Sequence, residues 1–323
     1  MYIVYMNLFL QFLLFVLILL VYIHVTHQYK RSEDLELYEL DYKDNQYLQE
    51  VCDIKQPAIF NFKDIYPDFY TIVNSDNIEE KENCEVKIKD IQDYYKSEES
   101  VDFVLLSHKS SQSLLKTDTK GIYFSEDNSN FAEDAGMEVV FQGTDSFLKP
   151  HFTVNTKYDV MFGSEKAYVP FRYHNHYRYF ISVNTGKIRV KLTPWKSCKY
   201  LYPNHDYETY EFKSPINVWK PDRNHYGEMN KMKFLEFDVN EGQVLYIPPY
   251  WWYSFQYHNA ATLLTSFTYD TPINCIANSK DLCFYYLQQH NIKKKPIKTI
   301  EIPILEKSTT DNEVVDEINN IDL

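Results

Sequence analysis

The chain has 323 residues, 44% hydrophobic and 24% charged, which is ample apolar material for one large domain or two small ones. Its 17% aromatic content excludes disorder over most of the length, and its 7 glycines exclude collagen-like, Gly/Ser-rich and phosphate-loop architectures. A net charge of −13 argues against a nucleic-acid partner, because phosphate binding needs a basic face.

Residues 1–25 carry no charged side chain, and only Asn7, Gln11 and His24 interrupt the apolar run. About 25 helical residues span roughly 37 Å, against a hydrocarbon core of about 30 Å. This predicts a transmembrane anchor over residues 1–26. A cleaved signal peptide would carry basic residues before the run and a small-residue cleavage site after it. Here the first basic residues are Lys30 and Arg31, and the run continues as HVTHQYK. That charge bias predicts a single-pass protein whose main domain faces the cytoplasm. Residues 27–45 read as a polar stalk.

From residue 46 the pattern is mixed. PAIFNF (Pro57–Phe62) and VDFVLLS (Val101–Ser107) read as strands, with a polar, acidic stretch at 75–100 between them. Ser125–Asp134 reads as a solvated acidic loop that lacks the spacing of a helix–loop–helix calcium motif. Short strands with turn signals dominate residues 165–270, which suggests a sandwich or barrel. Within them RYFISV and KIRVKL form a hairpin closed at Gly186, with Ile188, Val190 and Leu192 alternating against Lys187, Arg189 and Lys191. A C-terminal helix is expected over 276–300 and an acidic, flexible tail over 301–323. The five cysteines are widely spaced with no CxxC, so neither a zinc finger nor a disulfide scaffold fits. There is no Asn-x-Ser/Thr sequon and no GxSxG nucleophile motif.

The segment EGQVLYIPPYWWYSFQ (Glu241–Gln256) resembles the second metal-bearing strand pair of the cupin-like JmjC family, closest to its asparaginyl-hydroxylase-type iron and 2-oxoglutarate oxygenases. VPFRYHNHYRYFISVNTGKIRVKLTPW (Val169–Trp195) resembles the first half of that family's barrel, and PAIFNF its opening strand. The resemblance covers residues 46–275. It implies a mainly β fold with flanking helices, a double-stranded β-helix (cupin jelly-roll barrel) behind the single transmembrane helix.

The family holds Fe(II) with two histidines and one carboxylate, leaving open positions for 2-oxoglutarate and oxygen. Carried over, the third ligand falls on Tyr253. Counting from Pro170, the first histidine falls on Arg172 and the carboxylate on His174; counting back from Gly186, they fall on Tyr173 and Asn175. The cosubstrate lysine falls on Ile188, with Lys187 adjacent. Neither register keeps the triad. The resemblance therefore implies a barrel that needs no cofactor, with a remnant pocket of Arg172, Tyr173, Asn175, Ile188, Trp252 and Tyr253. If the chain is active instead, Fe(II) and 2-oxoglutarate are its cofactors. His174 and His176 share a strand face and are the metal candidates, with His205, Asp206, His225 or His258 completing a rearranged site. The leading functional reading is a membrane-anchored, non-catalytic binding or structural module. The alternatives are an active protein hydroxylase with an unusual ligand set and a purely structural membrane protein. Expected partners are the membrane, through residues 1–26, and an unidentified protein or small molecule.

Overall fold

Two kinds of hydrophobic pattern build the β-structure. The computed structural model describes residues 2–96 and 102–291, and the expected acidic tail and the basic end of the expected C-terminal helix lie outside them. The strands are β1 (Tyr38–Glu39), β2 (Ala58–Asn61), β3 (Glu85–Asp90), β4 (Phe103–Ser107), β5 (Tyr123–Ser125), β6 (Asn155–Gly163), β7 (Arg172–Tyr173), β8 (Arg178–Thr185), β9 (Lys187–Thr193), β10 (Asn204–Asp206), β11 (Glu211–Lys213), β12 (Leu235–Asn240), β13 (Gln243–Tyr246), β14 (Trp252–Tyr257) and β15 (Leu263–Asp270). Strands β8 and β15 are buried almost throughout, on both faces, and their buried polar ends Arg178 and Asp270 are paired with other groups. Strand β9 instead alternates, and its outward Lys187 and Arg189 pair across the ladder with Asp238 and Glu236 of β12 at 2.7 Å each. These pairs are partly solvated and add little stability.

The strands form two sheets, ordered β1-β2-β13-β8-β15-β6-β5-β3-β4 and β10-β11-β7-β14-β9-β12. From β6 to β15 the chain passes repeatedly between them. This arrangement, with its flanking helices, is consistent with a cupin jelly roll. Between the sheets, Met161, Ile181, Val183, Leu245 and Leu264 pack with Ile188, Val190, Leu192, Phe255 and Tyr257. On the far side of the larger sheet, Phe180, Tyr246 and Phe267 pack with Leu48, Phe69 and Phe141 from short N-terminal helices.

The β8–β9 hairpin turns on Gly186, whose φ is +83° and where a Cβ would sit 2.8 Å from Thr262 Oγ1. Both facts demand glycine.

At the N-terminus one helix runs Tyr2–Gln28, and its Leu8–Gln28 portion is long and apolar enough to cross a membrane. The expected stalk is not free. Tyr29 donates its hydroxyl to the Ala277 carbonyl. The Arg31 guanidinium lies 4.1 Å from the Trp195 ring centre and 4.2 Å from that of Tyr250. Tyr38–Glu39 pairs in parallel with Ala58–Ile59, and Leu40 is buried. Polarity suggested a stalk because hydropathy registers neither edge-strand hydrogen bonds nor a cation seated on aromatic faces. Strand β3 likewise lies inside the stretch read as polar and acidic, since only Val86 and Ile88 mark its inner face.

Gly186→Ala is expected to lower unfolding free energy by about 1–3 kcal/mol, read as a fall in denaturant midpoint at unchanged slope. An unchanged midpoint would contradict the turn assignment.

Candidate functional site

One end of the barrel holds a cavity of about 610 Å³. Its walls come from β6, β7, β14 and β15, from the segments after β5 and before β11, and from helices Pro272–Ala277 and Ser279–Gln289. Strand pairing sets which side chains look inward. Arg172 on β7 stands opposite Tyr253 on β14, so both share the inner face. His174, two residues on, joins them, its ring centre 6.0 Å from that of Tyr253. The inward set is therefore Arg172, His174 and Tyr253, the register counted from Pro170.

The other sequence candidates fall differently. Asn175 lines the cavity and donates to the Tyr210 hydroxyl at 3.0 Å. Tyr173 reaches the cavity while stacking on Phe212, with ring centres 5.1 Å apart. Trp252 does not line it. Alternation turns Trp252 to the other face of β14, into a cluster with Phe171 and Tyr173. Ile188 does not line it either. It is fully buried deeper between the sheets, opposite Tyr257 and Val239.

The dominant feature is a buried ion-pair network. Arg172 donates from Nη1 and Nη2 to the two Glu126 oxygens at 2.9 and 2.5 Å, and from Nη1 to Glu211 at 2.5 Å. Lys89 on β3 donates to Glu126 at 2.9 Å and to Asp127 at 2.6 Å. Lys157 on β6 reaches Asp127 at 3.1 Å. Burial works against the charge on Arg172, but Glu126 outweighs it and keeps the guanidinium charged. Burial likewise opposes the charge on Glu126, and Arg172 and Lys89 reverse that and hold it below the usual carboxylate range. Asp159 anchors the acidic segment by accepting from the backbone N–H of Asp127 at 2.8 Å and of Asn128 at 2.6 Å. Burial pushes Asp159 up to about 6.

The two histidines form a second group. His174 Nε2 lies 3.0 Å from the Ile247 carbonyl, which only accepts, so Nε2 carries the proton. Its Nδ1 is then a bare acceptor, buried and without a hydrogen-bond partner. Burial, then neighbouring His176, pushes His174 down to about 3, so the ring is neutral. His176 Nδ1 lies 3.0 Å from Asp270, whose carboxyl that contact helps hold low against its burial.

This donor set does not fit ferrous iron. Arg172 puts a permanent cation at the expected position of the first ligand, with Glu126 and Glu211 neutralising it. Nε2 of His174 and Nδ1 of His176 are held by Ile247 and Asp270, which leaves one nitrogen on each ring. Among the described residues no three His, Cys, Asp or Glu side chains come together in a way that could hold a metal ion. His205 instead contacts the Tyr173 hydroxyl at 3.2 Å, and Asp206 caps the N–H of Glu208 at 2.9 Å. The apolar Ile188 offers nothing to a cosubstrate carboxylate, and Lys187 turns away to Asp238. What the cavity offers is hydrogen bonding, from an asparagine, tyrosine hydroxyls and carboxylates.

Sequence reasoning missed Lys89, Glu126, Asp127, Asp159 and Glu211. One signal was present. An arginine at an inward position of a barrel motif requires carboxylates, and the Ser125–Asp134 segment read as a solvated loop supplies one of the two, Glu126.

Two outcomes follow. Arg172→Ala removes the partner of Glu211 and leaves Glu126 to Lys89 alone, and is expected to cost about 3–5 kcal/mol in denaturant unfolding. Adding Glu126→Gln is expected to recover part of that loss. Separately, unfolding exposes His174 to its ordinary value of 6.5, so the unfolded chain binds more protons between pH 6.5 and about 3. Stability due to this ring is complete above that window and falls by about 1.4 kcal/mol per pH unit as pH drops through it. Asp159 acts oppositely below about 6, so the test is a difference. His174→Gln is expected to lose less stability than the parent between pH 7 and 5, and equal losses would contradict a neutral buried ring.

Comparison with known proteins follows the same lines. The family model of the cupin-like domain matches residues 55–275. A JmjC domain-containing protein D from Dictyostelium discoideum is 24% identical over 99 residues, covering 31% of this chain and 22% of that protein. The match thus spans about a fifth of the relative's length. The match over more than half of the chain, on a two-sheet β fold with flanking helices, establishes that the chain belongs to the cupin-like domain family.

Proposed function

We propose that this protein is a membrane-anchored binding module, built on an oxygenase-derived barrel and without oxygenase activity of its own. The observation that carries this reading is the Arg172–Glu126–Glu211 network on the inner face, where the family's chemistry requires metal ligands. Ile188 at the expected lysine position supports it independently. The apolar Leu8–Gln28 helix supports anchoring, and Lys30 and Arg31 after it support a cytoplasmic main domain. The ligand is a polar molecule or side chain small enough for the cavity, with groups to pair with its asparagine, tyrosine and carboxylate lining. A purely structural role assigns nothing to that polar cavity.

The test is metal analysis of the full chain in nanodiscs, followed by anaerobic calorimetry with Fe²⁺ and 2-oxoglutarate. The expected result is less than a tenth of an equivalent of iron and no cosubstrate heat. Stoichiometric iron, with 2-oxoglutarate binding that depends on it, would contradict the proposal. It would favour the hydroxylase reading and direct the search to His174, His176 and Asp270, which lie together at one side of the cavity.

A further inference from the structure

The N-terminal helix leaves the domain at the same end of the barrel as the cavity. Tyr29 bonds to Ala277, the last residue of the helix Pro272–Ala277, whose Asn274 and Cys275 line the cavity. Arg31 is clamped between Trp195 and Tyr250, and the Tyr250 hydroxyl donates to Asn278 at 3.2 Å. Three residues reach about 10 Å at most. Docking therefore begins within that distance of Gln28, where the apolar helix ends.

The elements around this exit point expose apolar side chains. On the rim helix Ser279–Gln289, Leu282, Tyr285 and Tyr286 line the cavity, Tyr286 while 63% exposed, and Phe284 and Leu287 are 46% and 56% exposed. Ile276 is 51% exposed in the preceding helix. Next to the start of that helix, where its N–H donates to the Asp270 carbonyl, Val154 also lines the cavity and is 61% exposed, and Phe152 is 87% exposed at a φ of +59°. A water-facing helix of a globular domain shows mainly polar residues outward, and this one shows phenylalanine, tyrosine and leucine between Lys280 and Gln288. The sequence places basic residues after both segments. Lys30 and Arg31 close the anchor, and the sequence after the rim helix reads Ile-Lys-Lys-Lys at 292–295, in a chain of net charge −13.

We infer that this rim is a membrane-contacting surface: the helix Ser279–Gln289, Ile276 and the Phe152–Val154 turn rest in the headgroup layer of the bilayer that the N-terminal helix crosses. The inference rests on the anchoring reading above. Aromatic side chains favour that layer, and flanking lysines favour its anionic lipids. The cavity then opens against the membrane surface, and its ligand approaches from there.

The test uses the full chain in nanodiscs of phosphatidylcholine and phosphatidylserine. Cys283 is exposed on the rim helix and takes a nitroxide once the other four cysteines are replaced. A second chain lacks Cys283 and carries Leu14→Cys in the anchor. Collision with oxygen and with a nickel chelate reports depth. The expected result is a Cys283 label with oxygen access above nickel access, at headgroup depth, and a Leu14 label deeper still. A Cys283 label as open to nickel as a label in water, with Leu14 deep, overturns the inference and leaves the anchor standing. Low access of Cys283 to both reagents also overturns it, because a second copy or another part of the chain then covers the rim. A Leu14 label in water overturns the anchoring reading itself. If the cysteine-replaced chain does not fold, hydrogen exchange across residues 279–289 decides, using the chain with all its cysteines. Phe284→Asp with Leu287→Asp is expected to speed exchange there at least fivefold in nanodiscs. Unchanged exchange would place the helix in water.

Discussion

A guanidinium buried inside a barrel cannot stand alone, and the organisation of this molecule's open end follows from that constraint. Removing Arg172 from water is costly, and only carboxylates in good geometry offset it. Glu126 supplies a bidentate contact and Glu211 a third bond. Glu126 itself needs Lys89, Lys89 engages Asp127, and Asp127 is held inward by the backbone bond to Asp159. Elements far apart in sequence are thus tied around one cation. In the iron-binding members of this family a metal centre ties strands together at this place. Here Arg172, paired with Glu126 and Glu211, stands on that inner face.

How far the sequence reaches depends on the range of the interactions involved. The Gly242-to-Trp252 motif and the alternation of Ile188, Val190 and Leu192 are local patterns, and they point directly to the two-sheet barrel. The register of the first ligand segment is not local. Counts from Pro170 and from Gly186 differ by one residue, because the short strand β7 and the turn after it separate the two landmarks. Only the pairing of Arg172 with Tyr253 across two strands decides between them. That pairing also separates Tyr253 from Trp252, adjacent in sequence but on opposite faces.

The misread segments share one cause. Residues 27–45 and Ser125–Asp134 are rich in charged groups, and charge reads as solvent exposure when partners are invisible. Arg31 on two aromatic rings and Glu126 on Arg172 are partnered across more than 40 residues of chain. Ile188 shows the converse. An apolar residue at the expected lysine position is legible as a lost contact, but its depth between the sheets, away from the cavity, is visible only in the packed barrel.

The central claim is that protein charges occupy the metal position. The most direct measurement is a crystal structure of the protein exposed anaerobically to Fe²⁺ and 2-oxoglutarate, with diffraction recorded at the iron absorption edge. The account predicts no anomalous peak among Arg172, His174 and Tyr253, and an intact pair between Arg172 and Glu126. An iron peak there, with Arg172 displaced and His174 or His176 turned to coordinate it, would contradict the account.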